Sequence, residues 1–149
     1  PYLKYLFLDI NEAKFISNKN DLKEMGKFFI DNGLENMIIT DGSRGSHLFI
    51  KNSYYKIPAF SPKKLVDPTG AGDTFAGGFI GYLAAANDHS WETMKKAIIV
   101  GSALASFTVE KFGIERLEEI SLSDIKNRVN EYSKLSSFKF EDQDLDFIS

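Results

Sequence analysis

An open α/β sheet with helices on both faces is the fold class this sequence predicts, on three observations. Short apolar runs alternate with helix-patterned segments through the first forty residues. A glycine-rich turn over residues 70–72 leads straight into a long apolar stretch with an acid at its head. The chain has 149 residues, 43% of them hydrophobic, which is enough for one domain with a real core.

The elements follow in order. Tyr5-Leu6-Phe7-Leu8 reads as a buried strand, then a polar turn at Asp9-Ile10-Asn11 and a short helix through Phe15. Asp21 starts a second helix in which Leu22, Met25 and Phe29 repeat at helical spacing, and Asn32-Gly33 stops it. Met37-Ile38-Ile39-Thr40 is a buried strand, and Gly42 and Gly45 punctuate a turn before strands at 46–50 and 54–57, joined by Lys51-Asn52-Ser53. Pro58 through Lys64 is a loop.

A helix opens near Gly72 and runs through Ala86. Gly77, Gly78 and Gly81 each cost it up to ~1 kcal/mol of propensity, which implies close packing against a sheet. Asn87-Asp88-His89-Ser90 breaks the chain, with Trp91 as an anchor for the next helix start. Met94, Ala97, Ile98, Gly101, Leu104, Ala105 and Thr108 then mark the small-residue face of a helix that Gly113 ends. Ser121 with Asp124 reads as a helix cap followed by a buried stripe of Leu122, Ile125, Val129 and Tyr132. The acidic end, residues 136–149, reads as loosely held.

Composition excludes several classes. A net charge of −3 and a pI near 5.4, with no basic cluster, give no general attraction to nucleic acid. Without cysteine there is neither a disulfide framework nor a thiolate metal site. No segment approaches the ~20 apolar residues of a membrane span, and no basic-then-apolar signal opens the chain; a soluble cytoplasmic protein with no membrane partner is the expectation. The 13 phenylalanines fall within the periodic segments and read as core. His47 and His89 stand alone, and neither is assigned a role.

The run Asp67-Pro68-Thr69-Gly70-Ala71-Gly72-Asp73-Thr74-Phe75-Ala76-Gly77-Gly78-Phe79 carries the chemistry. Gly70 and Gly72 let the chain bend and bring bare N–H groups close to a ligand at the positive end of a helix dipole, with Asp73 beside them. Phosphoryl transfer asks a protein mainly for positioning and for donors to the equatorial oxygens, so such a turn suits it, and Asp73 need only accept a proton. Taken alone, Gly-Ala-Gly before an acid is also how a tight turn with an ordinary first-turn acid is written. A dinucleotide fingerprint would need glycine where Phe75 stands, and no G-x-x-x-x-G-K-[ST] occurs.

The thirteen-residue run resembles the C-terminal signature of the ribokinase-like (PfkB) carbohydrate kinase family. The resemblance implies a three-layer αβα sheet and places residues 1–149 in the nucleotide-binding C-terminal half of a single kinase domain. It implies an ATP- and Mg²⁺-dependent kinase acting on a hydroxyl of a sugar or nucleoside, in some members with a monovalent cation such as K⁺. Gly70, Ala71 and Gly72 then form the anion hole and Asp73 is the catalytic base. Asp67 and Thr69 offer oxygens to a cation or to nucleotide phosphates, although the family commonly has Thr where Pro68 stands.

Thr40-Asp41-Gly42-Ser43-Arg44-Gly45 resembles the family's second nucleotide element, with Thr40, Gly42 and Gly45 as ATP contacts; the same residues also suit a plain turn. In an open sheet both turns can face one crevice. Arg44 is either a phosphate ligand or an exposed turn residue. Gly101 and Ser102 align roughly with an adenine-pocket stretch, where small residues are equally packing residues, and residues 106–113 resemble the segment closing the nucleotide site. Asn11-Glu12-Ala13-Lys14 falls where the family has N-x-x-E, so Asn11 and Glu12 are the candidates for organising Mg²⁺ through water, with Lys14 where an acid is expected.

The resemblance implies that most sugar-binding residues lie outside this chain, so residues 1–149 by themselves are expected to be inactive, and it leaves room for a homodimer of the complete protein. Lys14 and the lack of those residues here also keep open a non-catalytic nucleotide-binding module with the kinase fold.

Overall fold

The computed structural model describes residues 3–60, 66–110 and 118–136. The chain divides into two compact units, residues 1–59 and 60–149.

The first unit is a four-stranded mixed sheet in the order β1-β2-β3-β4, with strands Tyr5–Asp9, Asn36–Thr40, Ser46–Ile50 and Ser53–Ile57. β1 and β2 are parallel, Tyr5 opposite Asn36 and Asp9 opposite Thr40, and the crossover between them holds helices α1 (Ile10–Ser17) and α2 (Leu22–Asp31). The other two pairs are antiparallel, with Thr40 opposite Ser46 and Ser46 opposite Ile57. Met37 and Ile39 point to one face and join Ala13, Met25, Phe29 and Phe49 in a core beneath the helices. Ile38 and Leu48 point to the other face and are equally inaccessible.

Local signals set the helix boundaries. Asp21 caps α2 by accepting the N–H groups of Lys23 (2.9 Å) and Glu24 (3.0 Å), and Asn32 ends it. The expected turn at Asp9-Ile10-Asn11 is replaced by an immediate helix start. Asp9 ends the strand and caps α1, its Oδ1 accepting the N–H groups of Asn11 and Glu12, while Glu12 Oε2 accepts the Asp9 N–H at 2.9 Å. This reciprocal pair removes the need for a separate turn. The β3–β4 connection is likewise shorter than expected, because Ser53 already pairs with Ile50.

In the second unit α3 (Ala71–Ala86) lies along α4 (Trp91–Thr108), and α5 (Leu122–Ser136) packs on α4. At Gly78, α3 meets α4. A Cβ on Gly78 would lie 3.0 Å from Gly101 Cα, and one on Gly101 would lie 2.6 Å from the Phe75 carbonyl oxygen. Gly77 and Gly81 face open space, so of the three glycines only Gly78 is required by packing. α4 ends at Thr108, before Gly113, which lies outside the described residues with the rest of 111–117, the loop at 61–65 and the acidic tail at 137–149. Ser121 and Asp124 exchange N–H bonds as the cap of α5, where Val129 and Tyr132 are buried but Leu122 is exposed. Among the described residues no helix is long and apolar enough to cross a membrane.

His47 on β3 is buried, its Nδ1 2.8 Å from the Tyr54 hydroxyl and its Nε2 without a partner among the described residues. Burial, reinforced by Lys56 opposite, pushes its pKa from 6.5 down to about 4. The unfolded chain therefore takes the proton first as pH falls. The His47 contribution to stability should be constant above pH ~6.5, decline by up to ~3 kcal/mol between there and pH ~4, and change no further below that. Thermal denaturation across that window should show a shallower decline for His47→Gln than for the wild type; equal slopes would refute the account.

Candidate active site

The residues from Asp67 to Asp73 are brought together at the head of α3. Asp67 Oδ1 accepts the Thr69 N–H at 2.9 Å, closing a small turn, and the Thr69 N–H and hydroxyl hold the Asp67 carboxyl below its ordinary pKa. The Ala71 N–H donates to the Pro68 carbonyl at 3.2 Å. Gly70 is the N-cap in the left-handed region, φ 81°, which a side chain would strain, and it offers no side-chain cap.

The N–H groups of Gly72 and Asp73 have no preceding helical turn to donate to, and neither donates to an acceptor among the described residues. They stand at the positive end of a 16-residue helix. Of the expected anion-hole donors, Ala71 is thus already engaged within the turn, while Gly72 is free and a Cβ there would meet nothing within 4 Å. Asp73 lies in the first turn, exposed, its carboxylate unpaired among the described residues.

This head is fastened to the end of α4. Val109 carbonyl oxygen accepts the N–H groups of Val66 (2.8 Å) and Asp67 (3.4 Å), and the Thr108 hydroxyl donates to Thr74 Oγ1 at 3.0 Å. Ser102 is on α4, and its Oγ is buried without a hydrogen-bond partner among the described residues. An orphaned buried hydroxyl is unusual and suits a polar group of a bound molecule as its missing partner.

In the other unit, Thr40 ends β2 half-buried and the chain makes one 3₁₀ turn at Gly42–Arg44. Asp41 is the anchor of this turn, which sequence reasoning missed as a role. Its buried carboxylate accepts Arg44 Nε at 2.7 Å and Nη2 at 2.6 Å, and its N–H donates to Gly45 at 2.8 Å. Arg44 is therefore committed to its own loop, and the pairing raises the guanidinium pKa. The acid and base three residues apart within Asp-Gly-Ser-Arg were the available signal. Gly45 has φ 104°, and a Cβ on it would fall 2.0 Å from the Ile57 carbonyl oxygen.

Asn11 and Glu12 occupy the first turn of α1, where Glu12 spends one oxygen on the cap; Lys14 is exposed. Among the described residues no three His, Asp or Glu side chains gather as a metal site.

Residues 1–120 match the family model described as pfkB family carbohydrate kinase. The chain belongs to the pfkB family of carbohydrate kinases. It is 33% identical over 117 residues to a nucleoside kinase of Methanocaldococcus jannaschii, covering 76% of this chain and 35% of the relative. Over 110 residues it is 32% identical to a ribokinase of Staphylococcus aureus, covering 71% and 34%. The crystal structure of a ribokinase from Thermotoga maritima superposes with a TM-score of 0.72 at 26% identity, covering 87% of this chain and 43% of that one. This pfkB-family chain therefore spans about a third of the length of these curated relatives, and the expected ribokinase-like α/β fold is borne out.

Gly45→Ala should destabilise the chain by about 2 kcal/mol or more, since it combines a positive φ with a clash against backbone. Urea denaturation measures this, and a loss within ~0.5 kcal/mol would contradict the described turn.

Proposed function

We propose that the complete protein is an ATP-dependent phosphotransferase acting on a hydroxyl of a sugar or nucleoside, with this chain supplying the base and the phosphate-binding turn. The observation carrying this reading is the head of α3: a left-handed Gly70 precedes N–H donors at Gly72 and Asp73 and an Asp73 carboxylate that have no partner among the described residues. That donor set fits the oxygens of a phosphate group.

Bound ATP supplies the phosphoryl group, and Mg²⁺ bound with it supplies positive charge. Asp73 accepts the proton of the attacking hydroxyl as its oxygen bonds to the γ-phosphorus and the bond from that phosphorus to the β–γ bridging oxygen breaks, so that ADP is the leaving group. Gly70 and Gly72, with Ala71 closing the turn, hold donors toward the charge that develops on the transferring group. Those donors need no rearrangement, which is the economical form of electrostatic stabilisation. Thr40, Gly42 and Gly45 serve the nucleotide, and Ser102 Oγ is a further candidate contact.

The described residues supply no dedicated metal cage, so Mg²⁺ would be held chiefly by phosphate oxygens and water, with Asn11 and the free oxygen of Glu12 reaching it through water. Asp67 and Thr69 are the candidates for a monovalent cation such as K⁺ or for phosphates. Cytoplasmic location and homodimerisation of the complete protein belong to the same proposal.

Two substitutions separate chemistry from stability. In the complete enzyme Asp73→Asn should lower turnover by at least ~10³-fold while nucleotide affinity changes little. Gly72→Ala should fold as well as the wild type, because nothing opposes its Cβ, yet weaken nucleotide binding. Steady-state kinetics and calorimetric titration check both; unchanged turnover for Asp73→Asn would sink the role of the base.

The residues 1–149 by themselves should phosphorylate no sugar or nucleoside, because they span only about a third of the matched relatives. A coupled ADP-release assay over a substrate panel tests this, and substrate-dependent turnover would disprove it. Lys14 favours a second reading, a nucleotide-binding module without catalysis. ATP binding by the complete protein with no turnover on any panel member would decide for it.

A further inference from the structure

Arg128 is the most heavily committed cation among the described residues, and phosphate chemistry does not use it. It sits on α5 with its side chain only 13% exposed. Its guanidinium carbon lies over two rings, 3.9 Å from the Phe107 centroid and 4.4 Å from that of Phe60. The guanidinium donates to Ser106 Oγ at 2.6 Å and to Glu110 Oε1 at 2.9 Å, and Nε lies 3.8 Å from a Glu131 oxygen. The Phe60 ring is held in turn by Tyr132, whose hydroxyl oxygen accepts the Phe60 N–H at 2.6 Å.

Three of these partners, Ser106, Phe107 and Glu110, flank Thr108 and Val109. Those two residues are the ones that grip the head of α3, Thr108 through Thr74 and Val109 through Val66 and Asp67. An unbroken series of contacts therefore runs from Arg128 through the last turn of α4 to the turn carrying Gly70–Asp73. We infer that Arg128 is a positioning residue for this turn, setting the direction of its free donors without touching a ligand. The inference rests on the reading of residues 70–73 as a phosphate site. Lysine could not replace it, because a point charge lacks the planar fork that meets Ser106 and Glu110 together beside the two rings.

Amide hydrogen exchange and ATP titration on the full chain test this with Arg128→Lys, Arg128→Met and Glu110→Gln. Val129→Ala serves as a control, a buried neighbour on α5 that contacts none of these partners through hydrogen bonds. The Val66 and Asp67 amides should exchange about tenfold faster in both Arg128 variants and less so in Glu110→Gln. Amides in the middle of α3, at Phe79 and Leu83, should be unchanged, and ATP affinity should fall by about tenfold.

Unchanged exchange at Val66 and Asp67 in all three variants would overturn the inference. So would an equal increase in Val129→Ala, because the effect would then be general loosening. If the wild type binds no ATP, the phosphate reading of residues 70–73 fails, and the inference for phosphate binding falls with it; the exchange data then separately decide whether Arg128 holds that turn.

Discussion

The approach of α3 to α4 at Gly78 and Gly101 is the constraint on which the second unit depends. Neither glycine can carry a Cβ without meeting the opposite helix, and the Gly101 contact falls on the carbonyl of Phe75, one turn or less from Asp73. Interiors packed at crystal-like density transmit such contacts rather than absorb them. A helix moved outward to accept a methyl group would carry Thr74 away from Thr108 and loosen Val66 and Asp67 from Val109. The glycines in mid-helix thus govern the geometry of the helix start, although they are remote from any phosphate.

The two glycine turns solve the same physical problem in the same way. Each places an acid inside the turn to satisfy polar groups that would otherwise compete: Asp41 takes the Arg44 guanidinium, and Asp67 takes the Thr69 N–H. Each then uses a positive-φ glycine to change direction, Gly45 in one and Gly70 in the other. Turns whose internal bonds are already made hold their direction without a ligand, so no binding energy would be spent on ordering them. Gly45 and Gly72 differ in what demands them. Backbone geometry excludes any side chain at 45, whereas at 72 the fold leaves the choice open and chemistry is the remaining reason for glycine.

What could be read from the residues was whatever is encoded locally. Asp21, Ser121 with Asp124, and the Met37–Thr40 run all signal by neighbours three or fewer places away, and the strands and helices they mark are in place. The density of the Asp67–Phe79 run did the same for the head of α3. The Asp9 cap was misjudged because a strand-end acid followed by Asn looks like a turn until the reach of Glu12 back to the Asp9 N–H is seen. The sheet expected against Gly78 was an inference about tertiary partners, which propensity cannot supply; the partner is α4. Arg128 had no local signature at all, since Ser106 and Glu110 are far from it in the sequence.

A largely buried arginine is an expensive way to hold two helices together. Desolvating a guanidinium and a carboxylate costs several kcal/mol, and well-packed apolar side chains often do as well or better. The arrangement makes sense if direction matters more than strength. Apolar packing tolerates small slides, whereas a planar fork fixed by Ser106 and Glu110 and in contact with the Phe60 and Phe107 rings admits far fewer orientations. Donors aimed at developing charge lose much of their effect when misplaced by an ångström. Stabilisation given up at Arg128 is thus exchanged for angular precision at the end of α4, and through Thr108 and Val109 that precision reaches the N–H groups of Gly72 and Asp73.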